Sequence, residues 1–213
     1  MKTVNSVQTQ LCLTAAALAG SAMGFEQAAS AAINTTFSNV NIAVPATFGG
    51  VYIDLGTGAT GGGSFAGWDF NPYQTASGLG FYWGGDLIGG QRSGGVETAL
   101  LSAIYADLAI GTVVGPGSNF TSAIQGANPN YRDTGVSYLG FRFNNGGVFN
   151  YGYAAIQTTA GTGNGNGFPA TILGWVFDDS GSSITVQTIP APGAAGLLGL
   201  LAAGSITRRR KVA

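Results

Sequence analysis

A chain of 213 residues with no histidine, a single cysteine at Cys12 and lysines only at Lys2 and Lys211 has a narrow chemical repertoire. A Ser/His/Asp triad, a Cys/His pair, a lysine Schiff base and a histidine-ligated zinc or copper site all need residue types that the body from Ala32 to Pro192 lacks. That body carries Arg92, Arg132 and Arg142 against Asp54, Asp69, Asp86, Glu97, Asp107, Asp133, Asp178 and Asp179, a net of −5, which argues against nucleic acid as a partner.

At the start, Lys2 precedes a polar stretch, an apolar run over 11–25, and the small residues Ala29, Ser30 and Ala31 in an A-x-A arrangement. That order predicts a signal peptide over 1–31, cut before Ala32. An earlier match, Ala17-Leu18-Ala19, would cut inside the apolar run. A retained membrane helix needs about 20 apolar residues, more than the run supplies. With Cys12 in the leader, the body has no disulfide to form, so an oxidising compartment follows from the targeting segments alone.

Of the 37 glycines, 31 lie between Ile33 and Pro192, in clusters such as Gly49-Gly50, Gly61-Gly62-Gly63, Gly84-Gly85 and Gly146-Gly147. Between these turn signals stand segments rich in Val, Ile, Phe, Tyr and Thr, over 51–55, 79–83, 136–143, 148–158, 171–177 and 183–188. The spacing predicts an all-β fold: one β-sandwich or jelly-roll-like domain over 32–188 with glycine-rich loops. One stretch departs from it. Over 96–110 the spacing fits a short helix with Leu100, Ile104 and Leu108 on one face, or else an irregular strand pair. The clearest hairpin joins 136–143 to 148–153 through the loop 144–147. Phe141 and Phe143 share one face of its first strand, and Arg142 points the other way because side chains alternate. A strand over 172–177, after the loop 161–167, completes a three-strand set expected at the centre of the core. No internal repeat of fixed period is present.

Over 189–213 three zones follow one another: Pro190, Ala191 and Pro192; an apolar run over 194–206; and Arg208, Arg209, Arg210 and Lys211. The prolines end the preceding strand, the apolar run can enter a bilayer as a helix, and the basic cluster stays on the cytoplasmic side. A helix over 193–207 is about 22 Å long at about 1.5 Å per residue, short of a hydrocarbon core of about 30 Å. Gly196, Gly199 and Gly204 weaken it further. Transient anchoring followed by cleavage fits these features better than permanent residence, with a plain tail anchor as the alternative.

This tail resembles the PEP-CTERM sorting signal of Gram-negative bacteria, in which a Pro-Glu-Pro-like motif, an apolar helix and an arginine cluster are read by an exosortase. Ala191 stands where the common motif has Glu, so the motif here is a PAP variant. A fainter likeness covers Gly140-Phe141-Arg142-Phe143, Asn150-Tyr151-Gly152-Tyr153 and Leu173-Gly174-Trp175, which are similar to a β core common in such exported proteins. The resemblance implies the secretion machinery and an exosortase-like transpeptidase as partners, brief residence in the inner membrane, and a final place at the cell surface, in the outer envelope or in the extracellular matrix.

Three candidate sites lie in the body. Asp54, Asp69 and Asp86, beside Gly56, Asn71 and Gly85, offer oxygen ligands for calcium, although Asp and Asn next to Gly more often bond their own turn backbone. Trp68, Tyr73, Tyr82 and Trp83 offer a sugar platform, with Asp69 and Asn71 for hydroxyl contacts; the competing expectation is that these aromatics are core. A glycosidase would need two facing carboxylates about 5 to 9.5 Å apart, and no local motif marks such a pair. The expectation is a non-enzymatic surface or matrix protein without a cofactor. A carbohydrate-binding module of the envelope or exopolysaccharide is the alternative, and a carboxylate-dependent glycoside hydrolase comes third.

Overall fold

The computed structural model describes residues 34–84, 87–122 and 128–189. The signal-cleavage residues Ala29, Ala31 and Ala32, the motif Pro190, Ala191 and Pro192, the cluster Arg208, Arg209, Arg210 and Lys211, and Asp86 lie outside them. The described chain is all-β, with every strand pair antiparallel. Among the described residues no helix is long and apolar enough to cross a membrane.

The largest sheet has six strands in the spatial order β1 (Asn34–Val44), β11 (Ala170–Asp178), β10 (Val148–Thr158), β9 (Gly135–Asn145), β6 (Gly94–Val96) and β8 (Phe120–Thr121). A second has four, in the order β3 (Thr60–Gly61), β2 (Tyr52–Ile53), β4 (Phe70–Thr75) and β5 (Gly78–Trp83). A short ribbon pairs β7 (Val113–Val114) with β12 (Ile184–Thr185).

The expected hairpin forms, with Asn145 opposite Val148 and Gly140 opposite Tyr153. Its turn is tighter than the sequence implied, only Gly146 and Gly147, with φ of 65° and 90°. Two positive φ values in succession give the twist that a two-residue antiparallel connection needs, and glycine adopts them without strain. Asn144 Oδ1 accepts the Gly147 N–H at 2.9 Å and fixes the turn.

Alternation along β9, β10 and β11 sorts their side chains onto two faces. Leu139, Phe141, Phe143, Ile156, Trp175 and Phe177 pack with Ile53, Leu55, Phe70, Leu79, Phe81 and Trp83 of the four-stranded sheet and its loops in one continuous core. Trp175 is fully buried, and its indole Nε1 donates to Leu55 O at 2.9 Å, tying β11 to the chain leaving β2. On the opposite face Tyr151, Tyr153 and Val176 pack with Val96, Leu108, Val114, Ile184 and Val186. Arg142 lies on that second face as alternation requires, its guanidinium 4.7 Å from the ring centroids of both Phe120 and Phe149.

The stretch 96–110 is not helical. Glu97 and Tyr105 form an isolated antiparallel bridge, which agrees with the irregular alternative. Leu100 is 70% exposed and Ile104 is exposed as well, so only Leu108 of the expected face is buried. The cause is local: the buried Glu97 carboxylate accepts the N–H groups of Leu101 and Ala103 at 2.9 and 3.1 Å, and both residues have positive φ, 62° and 56°, a geometry no right-handed helix contains. β1 and β4 are strands the sequence reading passed over. Asn39 and Asn41 interrupt β1 at φ of 61° and 47°, where its register against β11 shifts between Ser38 and Ile42. Pro72 sits inside β4, where strand formers are expected.

Candidate functional site

Two segments face each other across a cleft: the connection from β2 to β4, carrying Asp54, Phe65, Gly67, Trp68 and Asp69, and the β9–β10 turn with Asn144 to Gly147. One lobe has a volume of about 510 Å³ and is lined by Phe65, Gly67, Trp68, Asp69, Asn144, Gly146 and Gly147. The adjoining lobe, about 310 Å³, shares Gly67, Asp69, Asn144 and Gly146 and adds Asp54, Thr57 and Phe143 among its walls. Both fall within the size range of small-molecule sites.

The carboxylates are held by backbone amides. Asp54 Oδ1 accepts the N–H groups of Gly56 and Thr57, each at 2.9 Å, closing the turn after β2. Asp69 Oδ2 accepts the Leu55 N–H at 3.0 Å, and its own N–H donates to Ile53 O at 2.9 Å. Asp69 is only 5% exposed, and burial pushes its carboxyl up to about 7; the Leu55 N–H opposes the shift and the neighbouring Asp54 adds to it. Near neutral pH the cleft therefore holds one carboxyl poised between its two protonation states.

The structure thus brings Asp54 and Asp69 together, while Asp86 lies outside the described residues. Among the described residues no group of three or more His, Cys, Asp or Glu side chains is arranged to hold a metal ion. Other acids have partners elsewhere: Asp107 accepts from Ser137 Oγ and the Tyr138 N–H of β9, and Asp178 from the N–H groups of Ser180 and Ser182 in the turn that follows it.

The four aromatics expected to form one platform are divided by the pleat of β5. Trp83 faces the core at 6% exposure, where its Nε1 donates to Tyr105 Oη at 3.0 Å, so it presents no binding surface. Phe81 is likewise internal, and Tyr82 between them faces outward at 39% exposure. Asn71 is buried and donates through Nδ2 to Gly49 O, so it makes no hydroxyl contacts with a ligand. Tyr73, two residues along β4 from Asn71, is half-buried, and its hydroxyl is pushed up by burial first and by the nearby Tyr82 second. Trp68 does belong to an aromatic row. Its ring meets Tyr82 at 5.4 Å and, edge to face, Tyr52 at 4.9 Å.

Tyr52 was missed, although the sequence held its signal: if Val51, Ile53 and Leu55 face inward, Tyr52 between them faces out. Phe65, Asn144 and the turn glycines gave no such signal, because their convergence depends on how the two segments pack. No known protein family, curated protein or solved structure matches the chain.

Proposed function

We propose that the chain is an exported, non-enzymatic surface or extracellular-matrix protein: one β-sandwich domain delivered by a signal peptide and processed through a PEP-CTERM-like tail. The observation that carries this reading is the order of the last zones, with Pro190, Ala191 and Pro192, then an apolar run too short for a stable span, then Arg208, Arg209, Arg210 and Lys211. The fold supports it in a second way. Two antiparallel sheets share one core of large aromatic and aliphatic side chains, and the body has no cysteine, so this core is not stapled by disulfides.

Replacing Arg208, Arg209, Arg210 and Lys211 with Ser tests the tail. Translocation continues, but the variant keeps its C-terminal segment while the wild type loses it, which intact-mass measurement of the envelope fraction reads directly. Equal mature masses contradict the sorting role. Carbohydrate binding is the second reading, favoured by the outward row of Tyr52, Trp68 and Tyr82.

A further inference from the structure

We infer that the cleft between the 54–69 segment and the β9–β10 turn takes a neutral, hydroxyl-rich polysaccharide, with a sugar ring stacked on Trp68 and hydroxyls bonded by Asp54, Asp69 and Asn144. The inference rests on the exported reading for where such a polymer is met, and it names the partner at this site.

Trp68 joins two features that are otherwise separate. It lines the 510 Å³ lobe, and it is the middle ring of the row Tyr52, Trp68 and Tyr82. None of those three rings belongs to either buried core cluster. Flat aromatic surface beside polar groups matches a sugar ring, which has an apolar C–H face and a rim of hydroxyls.

The polar groups match the rim. Asp54 Oδ1 and Asp69 Oδ2 are occupied by backbone amides, so both carboxyl groups are fixed in place, each with its second oxygen left for a hydroxyl. The second oxygen of Asp54 faces Gly67, where a Cβ would lie 3.4 Å from it. Asn144 Oδ1 is taken by the Gly147 N–H, which leaves its Nδ2 as the donor it presents. Fixed acceptors with a donor suit hydroxyls, which do both. A hydrocarbon ligand would strip water from these groups without replacing their bonds.

Charge and shape narrow the class further. The lining contains two acidic side chains and neither Lys nor Arg, so nothing in it balances the charge of a uronate, sulfate or phosphate group. Gly146 and Gly147 put no side chain at the tip, and a Cβ at either would meet nothing within 4 Å, so the cleft is open there and a polymer can run on past it.

The test uses the full-length chain in mild detergent and native affinity electrophoresis through gels containing hydroxyethylcellulose, laminarin, soluble starch, galactomannan or alginate. Retardation by at least one neutral polymer and none by alginate is the expected result, weakened about tenfold in Trp68→Ala, a loss on the scale of one aromatic contact. Tyr82→Ala, at the exposed end of the row, is the second variant, and circular dichroism confirms that each is folded. Migration unaffected by every neutral polymer, retention by alginate, or retention that survives both substitutions overturns the inference. Release of reducing ends that stops in Asp69→Asn replaces binding with hydrolysis and overturns it as well. Retained tail mass with intact glycan binding sinks the sorting reading alone; correct processing without binding sinks this one alone.

Discussion

Asp69→Asn probes the cleft through stability rather than binding. An ordinary aspartate has a value near 3.8, and burial holds Asp69 at about 7 in the folded chain. The folded state therefore binds this proton more tightly than the unfolded state does. Its contribution to stability is fully present below pH 4 and is lost as pH rises through 7. A separation of about 3 units at about 1.4 kcal/mol each corresponds to about 4 kcal/mol between those limits. Asn is neutral throughout and keeps an oxygen for the Leu55 N–H, so the substitution removes the titration and preserves the bond. It also removes the repulsion from Asp54, the neighbouring carboxylate that adds to the shift. Urea unfolding followed by tryptophan fluorescence at pH 4 to 8 reads the effect. The two proteins differ by about 1 kcal/mol or less at pH 4, where each makes a neutral hydrogen bond, and the variant is the more stable by a few kcal/mol at pH 8. All other titrating groups contribute to both curves, so the difference reads Asp69 together with its coupling to Asp54. Parallel curves would refute the burial argument.

Three further substitutions test the packing. Gly152→Val places a Cβ 2.6 Å from Phe141 Cζ in the middle of the six-stranded sheet, so it lowers the urea midpoint and destabilises by more than the about 1 to 3 kcal/mol of an ordinary overpacking change. Trp175→Phe keeps a ring but loses the bond to Leu55 O, leaving a buried acceptor without that donor, and destabilises by about 1 to 3 kcal/mol in the same assay. Glu97→Ala removes the acceptors for Leu101 and Ala103, so limited proteolysis at the exposed Leu100-Leu101 tip accelerates several-fold while circular dichroism of the sheets stays unchanged.

The long antiparallel hairpin was legible because alternation and a glycine pair are local signals: Phe141 and Phe143 inward, Arg142 outward, Gly146-Gly147 at the turn. β1 was hidden because Asn39 and Asn41 belong to its irregularity rather than to a loop. Alternation also shows why the aromatic grouping failed. Tyr82 and Trp83 are adjacent in sequence and therefore fall on opposite faces of β5, so one can stand in a surface row only if the other is core. Grouping by face rather than by proximity would have removed Trp83 and admitted Tyr52. The choice left open over 96–110, between a short helix and an irregular strand pair, had a different cause. Glu97 looks like a solvated helix charge in sequence, and only the fold shows its carboxylate turned onto two amides of its own loop.

The destinations of the acids bear on what the domain can recognise. Glu97 and Asp178 accept backbone N–H groups of their own loops, and Asp107 ties its loop to β9 through the Tyr138 N–H, so much of their charge is used in shaping and holding the chain. Arg142 is held between two aromatic rings and against Gln91, a poor position from which to grip a polyanion. With no lysine between Lys2 and Lys211, the domain has little with which to bind an acidic polymer through charge. What it presents is aromatic surface, amides, and two carboxylates at the wall of a cleft. The proposed binding of neutral polymer gains from that economy, because each cation left out of the surface is one fewer site for nonspecific attachment to anionic polymers.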